Sequence, residues 1–167
     1  RVLPESSLPS NEAELERALR YAPGHPEIHA HLAMLHWQAG NLERAKSSAA
    51  LTVNGNPQSV IGHYILGRCL ASSADRPGAM KELRTAAMCM EFGEDAEVAA
   101  LVHFHLAEML SAEGYLSAAI EQYESFGRVS AKITPTAKGE LASLLATRRG
   151  SMEQAKAEML EKLGRYE

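Results

Sequence analysis

Apolar positions return at helical spacing along most of this chain, and several helices carry two apolar stripes where one would seat them in a hairpin. One stripe contains Leu32, Ala33 and His36, returns as Leu66, Gly67 and Leu70, and returns again as Leu106, Ala107 and Leu110. Its small residues let helices approach closely, so it is the expected core. The second lies about a third of a turn away, at about 100° per residue. It comprises Met34 and Trp37 with Glu27 and Ala30, then Ile61, Tyr64 and Arg68, then Leu101, Phe104 and Glu108.

The stripes recur because the sequence does. PEIHAHLAMLHWQAGNLERAKSSAALTVNGNPQS, from Pro26, fills 34 residues, and VIGHYILGRCLASSADRPGAMKELRTAAMCMEFG follows in register. Leu32-Ala33 becomes Leu66-Gly67, and Ala45 becomes Ala79. A third copy starts near Ala100, six residues late, the extra residues falling around Phe92-Gly93-Glu94-Asp95, where they lengthen a loop or a helix. A weaker copy with Gly150 and Ala155 covers Thr136 to Gly164, and EAELERALRYAPGHP matches the second half of a unit. The expected organisation is a linker at 1–10 and a single domain over 11–167, with a half unit at 11–25 and units at about 26–59, 60–93, 100–133 and 136–167.

Local chemistry supplies the turns. Asn11 with Glu14 and Ser151 with Gln154 form capping-box patterns. Asn56-Pro57 and Thr134-Pro135 read as caps before a proline at the first helical position, and Asp75 with Pro77 reads similarly. Gly40, Gly114 and Gly150 are expected to end first helices, because glycine adopts the left-handed conformation that closes a C-terminus. In the second unit that place holds Ala74.

The repeats resemble the tetratricopeptide repeat family, through Leu32, Ala33, Gly40, Ala45 and Pro57, then Leu66, Gly67, Ala79 and Ala86, then Leu106, Ala107, Gly114, Ala119 and Tyr123. The chain departs from the family where an aromatic residue usually stands early in the first helix: here are His29, His63 and His103, with Gly139 in the last unit. The resemblance implies an all-α fold, a right-handed α-solenoid of antiparallel helix hairpins. It also turns the second stripe toward a concave groove, nominating Met34, Trp37, Ile61, Tyr64, Arg68, Leu101, Phe104 and Glu108 as ligand contacts. A groove centred on Trp37, Tyr64 and Phe104 suits a peptide or helix with apolar anchors, and Arg68 suits a carboxylate. Some family members hold the acidic tail of a heat-shock chaperone with lysine and asparagine; those places here hold Ala30, Met34, Tyr64 and Arg68, so that role is not expected.

Composition narrows the alternatives. A net charge of -4, from 17 basic and 21 acidic residues without a block of like charge, makes nucleic acid an improbable partner. No apolar run approaches the roughly 18 residues a membrane span needs, and the chain reads as soluble, cytoplasmic or periplasmic, and part of a longer protein. Cys69 and Cys89 lie in helical stretches without metal-ligand spacing and read as small buried apolar residues. No phosphate loop, HExxH or nucleophile elbow is present, so neither catalysis nor a cofactor is expected.

Seven histidines invite a metal site or a pH-sensitive seam. Yet His29 and His31, like His103 and His105, are two apart and face away from each other on a helix. The preferred reading gives His29, His63 and His103 a packing role, with a ring nitrogen hydrogen-bonded. The remaining expectations are a protein partner in the groove, self-association through terminal units, or a spacer role. Alternating charges on the last helix, Met152 to Tyr166, suggest a solvated cap.

Overall fold

The structure, a computed structural model, describes residues 12–90, 95–133 and 139–164, which form eight helices and no strand. The expected linker, Asn11 of the first capping box, most of the segment before the third copy, and Thr134-Pro135 fall outside the described residues. The chain divides into two compact units, Arg1–Cys89 and Met90–Glu167.

The first unit contains α1 (Glu12–Tyr21), α2 (Pro26–Gln38), α3 (Leu42–Gly55), α4 (Val60–Ser72) and α5 (Arg76–Cys89). Helices α2 and α3 form one hairpin and α4 and α5 the next, and α4 packs against both α2 and α3. The repeated small residues sit at these contacts: Ala33, Ala45 and Ala79 are fully buried. A Cβ on Gly67 would stand 3.0 Å from Leu83 Cγ and 3.3 Å from the Ala79 carbonyl, so glycine sets the spacing within the α4–α5 hairpin. Gly62 does the same between hairpins, its absent Cβ falling 2.9 Å from Val53 Cγ2. Around them Leu32, Ile65 and Leu83 are buried, each worth about 1.5–3 kcal/mol on transfer from water.

Three turns are built alike. The amides of Asn41, Asp75 and Tyr115 donate to the carbonyls of His36, Leu70 and Leu110, at 2.8, 2.9 and 2.8 Å. Each closure needs a left-handed residue just before the donor. Gly40 and Gly114 supply it with φ of 78° and 87°, and Ala74 is forced into it with φ of 63°. The next helices are then capped where a side chain allows, Asn41 accepting from the Arg44 amide and Asp75 from the Gly78 amide.

Two expected starts differ. Asn56 Oδ1 accepts from the Gln58 amide in a turn, and α4 begins three residues after Pro57 with Ser59 as its cap, accepting from Gly62 at 3.1 Å. Asparagine satisfies the turn locally, so the proline shapes the loop instead of the first helical turn. Asp95, accepting from Glu97, starts α6 well ahead of Ala100, and part of the extra sequence is thereby absorbed into a longer helix.

The second unit contains α6 (Ala96–Ala112), α7 (Leu116–Ser130) and α8 (Gly139–Gly164). Helices α6 and α7 form a hairpin and α8 packs on both. Gly150 does not end a helix: α8 runs through it for 26 residues, and Ser151 is not a cap. Contacts on both sides flank the glycine. Arg148 packs against the bare face of Gly127, Ser151 hydrogen-bonds the Tyr123 hydroxyl, and Ala155 is fully buried. These contacts offset the roughly 1 kcal/mol that glycine costs a helix interior relative to alanine.

Candidate functional site

In the first unit the second stripe of α2 and α4 comes together as a cluster. Trp37 and Arg68 project toward each other, the guanidinium carbon 4.9 Å from the indole centroid. Arg68 also lies 5.9 Å from the Tyr64 ring centroid, and its Nη1 donates to the Tyr64 hydroxyl at 2.9 Å. Cation–π attraction and this hydrogen bond orient the guanidinium against a half-buried indole. Tyr64 is only 1% exposed and acts as the support beneath the pair. Met34 and Ile61, on the same two helices, are half-buried. Ala30 is buried. The surface is thus apolar, with a positively charged planar group held in place.

The other three nominated residues belong to the second unit, on α6. Leu101 and Phe104 are buried there, and Glu108 is exposed. Phe104 meets Tyr123 and Phe126 edge-on, at 5.9 and 5.2 Å between centroids, with His105 at 5.6 Å. It is a core ring. Beside it, burial pushes the Tyr123 hydroxyl up to about 12; the Glu108 carboxylate adds to the rise and the hydrogen bond with Ser151 opposes it.

The recurring histidines tie helices to the segments around them. His29 Nε2 meets the Pro23 carbonyl at 2.9 Å, and His63 Nε2 meets the Pro57 carbonyl at 2.8 Å. His63 Nδ1 faces Glu82 Oε2 at 2.6 Å on α5, and His103 Nδ1 faces Gln122 Oε1 at 2.8 Å on α7. The pattern supports the packing reading, in which imidazole replaces an aromatic ring and adds a bond to the facing helix. Burial pushes His103 below the ordinary histidine range, partly opposed by its bond to Gln122, with the Arg128 charge lowering it further. Among the described residues no group of three or more His, Cys, Asp or Glu is placed to hold a metal ion. Cys69 is buried, and burial pushes its thiol up; Cys89, expected to be buried, is half-exposed.

One apolar surface escaped the sequence reading. Tyr115, Leu160 and Leu163 are 61, 65 and 57% exposed, beside a trough between α7 and α8. Charge alternation along α8 concealed the signal, which was the spacing of Met159, Leu160 and Leu163.

Comparison with known proteins agrees with this architecture. Residues 12–61 match the model of the tetratricopeptide repeat family, in agreement with the resemblance carried by the repeats. Among solved structures, the complex of the TPR2B domain of yeast Sti1 with pHsp70 superposes with a TM-score of 0.60 at 13% identity, over 80% of this chain and 97% of that one. The Yersinia enterocolitica type III secretion chaperone SycD, in complex with a peptide of the translocator YopD, gives 0.58 at 20%, over 80% and 93%. MamA gives 0.57 at 18%, over 90% and 87%. At these identities the likeness is one of fold, an all-α stack of helix hairpins. The comparison with curated proteins finds no match. Among the described residues no helix is long and apolar enough to cross a membrane.

Proposed function

We propose that this chain is a protein-interaction module, and that the α2–α4 face of its first unit holds a segment of a partner protein by an apolar anchor. The observation that carries the reading is the Trp37–Arg68–Tyr64 cluster: an indole left half-buried, with a guanidinium stacked on it at 4.9 Å and fixed by a tyrosine hydroxyl. An aromatic and an arginine held rigid beforehand are what binding hot spots are made of, because little side-chain freedom remains to be lost. Met34 and Ile61 extend the apolar contact along the same helices. Two fold neighbours, the Sti1 domain with pHsp70 and SycD with a YopD peptide, are complexes with a protein or peptide, which supports binding as the use of this fold. In the second unit Glu108 is the nominated residue whose exposure fits direct contact; Leu101 and Phe104 serve as its packing. The role is one of recognition, without a catalytic step.

Trp37 is the only tryptophan, so its fluorescence reports the face directly. Peptides selected from a random display library on the folded chain should shift that emission on titration. Trp37→Ala and Arg68→Glu should each weaken them by about tenfold or more while leaving the melting temperature within a few degrees. Selected peptides that bind both variants as tightly as the parent would refute the assignment.

A further inference from the structure

The trough between α7 and α8 lies in the second unit, apart from the residues just described. It has a volume of about 590 Å³ and is walled by Leu116 and Ala118 from α7 and by Met159 and Leu163 from α8. Glu121 and Lys162, both exposed, line it as well, one from each helix. The apolar line that seats α8 runs through Ala155 and Met159 and continues into Leu163, with Leu160 alongside. Ala155 is buried at 1% exposure, whereas Leu160 and Leu163 are 65 and 57% exposed. The packed stripe therefore runs on into water.

We infer that this surface pairs with the same surface of a second copy of the chain, two α8 helices crossing about a two-fold axis with Leu160 of each entering the other's trough. Two features select this occupant. A two-fold interface must be self-complementary, and this patch carries both the recess and, next to Met159 on the same helix, the leucine that fills it. It also carries one charge of each sign, Glu121 on α7 and Lys162 on α8, so a rotated copy sets each against its opposite, whereas a ligand of one sign would meet repulsion at one of them. The strength of the pairing is limited by area, because the three exposed apolar side chains supply less than the roughly 800 Å² that each partner contributes to a standard stable interface. The pairing is accordingly reversible, with a dissociation constant expected in the micromolar range or above. It does not depend on the α2–α4 face, and either proposal stands if the other falls.

Sedimentation velocity on the full chain from about 1 to 500 µM tests it. A monomer–dimer equilibrium should appear, and Leu160→Glu with Leu163→Glu should weaken it at least about a hundredfold, because each leucine counts twice across a two-fold axis. Glu121→Lys and Lys162→Glu should each weaken pairing, and the two together should restore it. This charge swap decides the matter even if the leucine variant loses helix by circular dichroism. A chain that stays monomeric at 500 µM, a dimer unaffected by both sets of variants, or single charge reversals that are not rescued when combined would overturn the inference.

Discussion

Replacing Phe104 by alanine tests which residues of the second stripe are core. The ring is 1% exposed and meets Tyr123 and Phe126 edge-on at 5.9 and 5.2 Å. Losing a buried phenylalanine removes its transfer energy and leaves a cavity, together costing about 3–5 kcal/mol. The two lost ring pairs place the value in the upper part of that range, about 4–5 kcal/mol. Phe104→Leu refills much of the space and should cost about half as much. Urea unfolding followed by far-ultraviolet circular dichroism measures the loss. Trp37 emission follows the first unit separately, since the tryptophan lies on α2. The expected result is an earlier transition in the helical signal with the fluorescence transition less affected. A loss below about 1 kcal/mol would mean that the ring sits on an open surface and remains a direct anchor for a ligand. With the expected loss, Phe104→Ala acts on the packing of α6, and Trp37 and Arg68 serve as the clean probes of recognition.

Three further outcomes follow from the geometry. Ala74 sits at φ 63°, where an L-residue costs roughly 1–2 kcal/mol, so Ala74→Gly should raise stability by about 0.5–1 kcal/mol after the entropy glycine adds to the unfolded chain; thermal melting that moves downward would contradict the shared turn. Gly67→Val should destabilise the α4–α5 hairpin by about 2 kcal/mol or more, since even a Cβ there stands 3.0 Å from Leu83 Cγ, and an unchanged denaturation midpoint would show that the helices separate freely. Tyr123 is raised to about 12 from an ordinary 10, so the fold favours its neutral form: that stability is fully present below pH 10 and is lost as pH rises toward 12. The loss amounts to about 3 kcal/mol and should vanish in Tyr123→Phe; equal alkaline melting curves for the two proteins would exclude it.

The sequence by itself determined the hairpins of α2–α3, α4–α5 and α6–α7, because their causes are local. The left-handed residue at 40, 74 and 114 is needed whatever surrounds it, and the small residues at 33, 67 and 107 recur wherever two helices touch. Tertiary structure alone decided the rest. Gly150 and Ser151 carry the local signals of a break, yet Arg148, Ser151 and Ala155 pack against the neighbouring helices and α8 stays whole. The candidate site divides in the same way. A stripe at helical spacing fixes which residues share a face, which is why Trp37 and Arg68 were legible. Whether a ring on that face meets solvent or another helix depends on what packs over it, and only the structure shows Tyr64 and Phe104 underneath and Leu160 and Leu163 left outside.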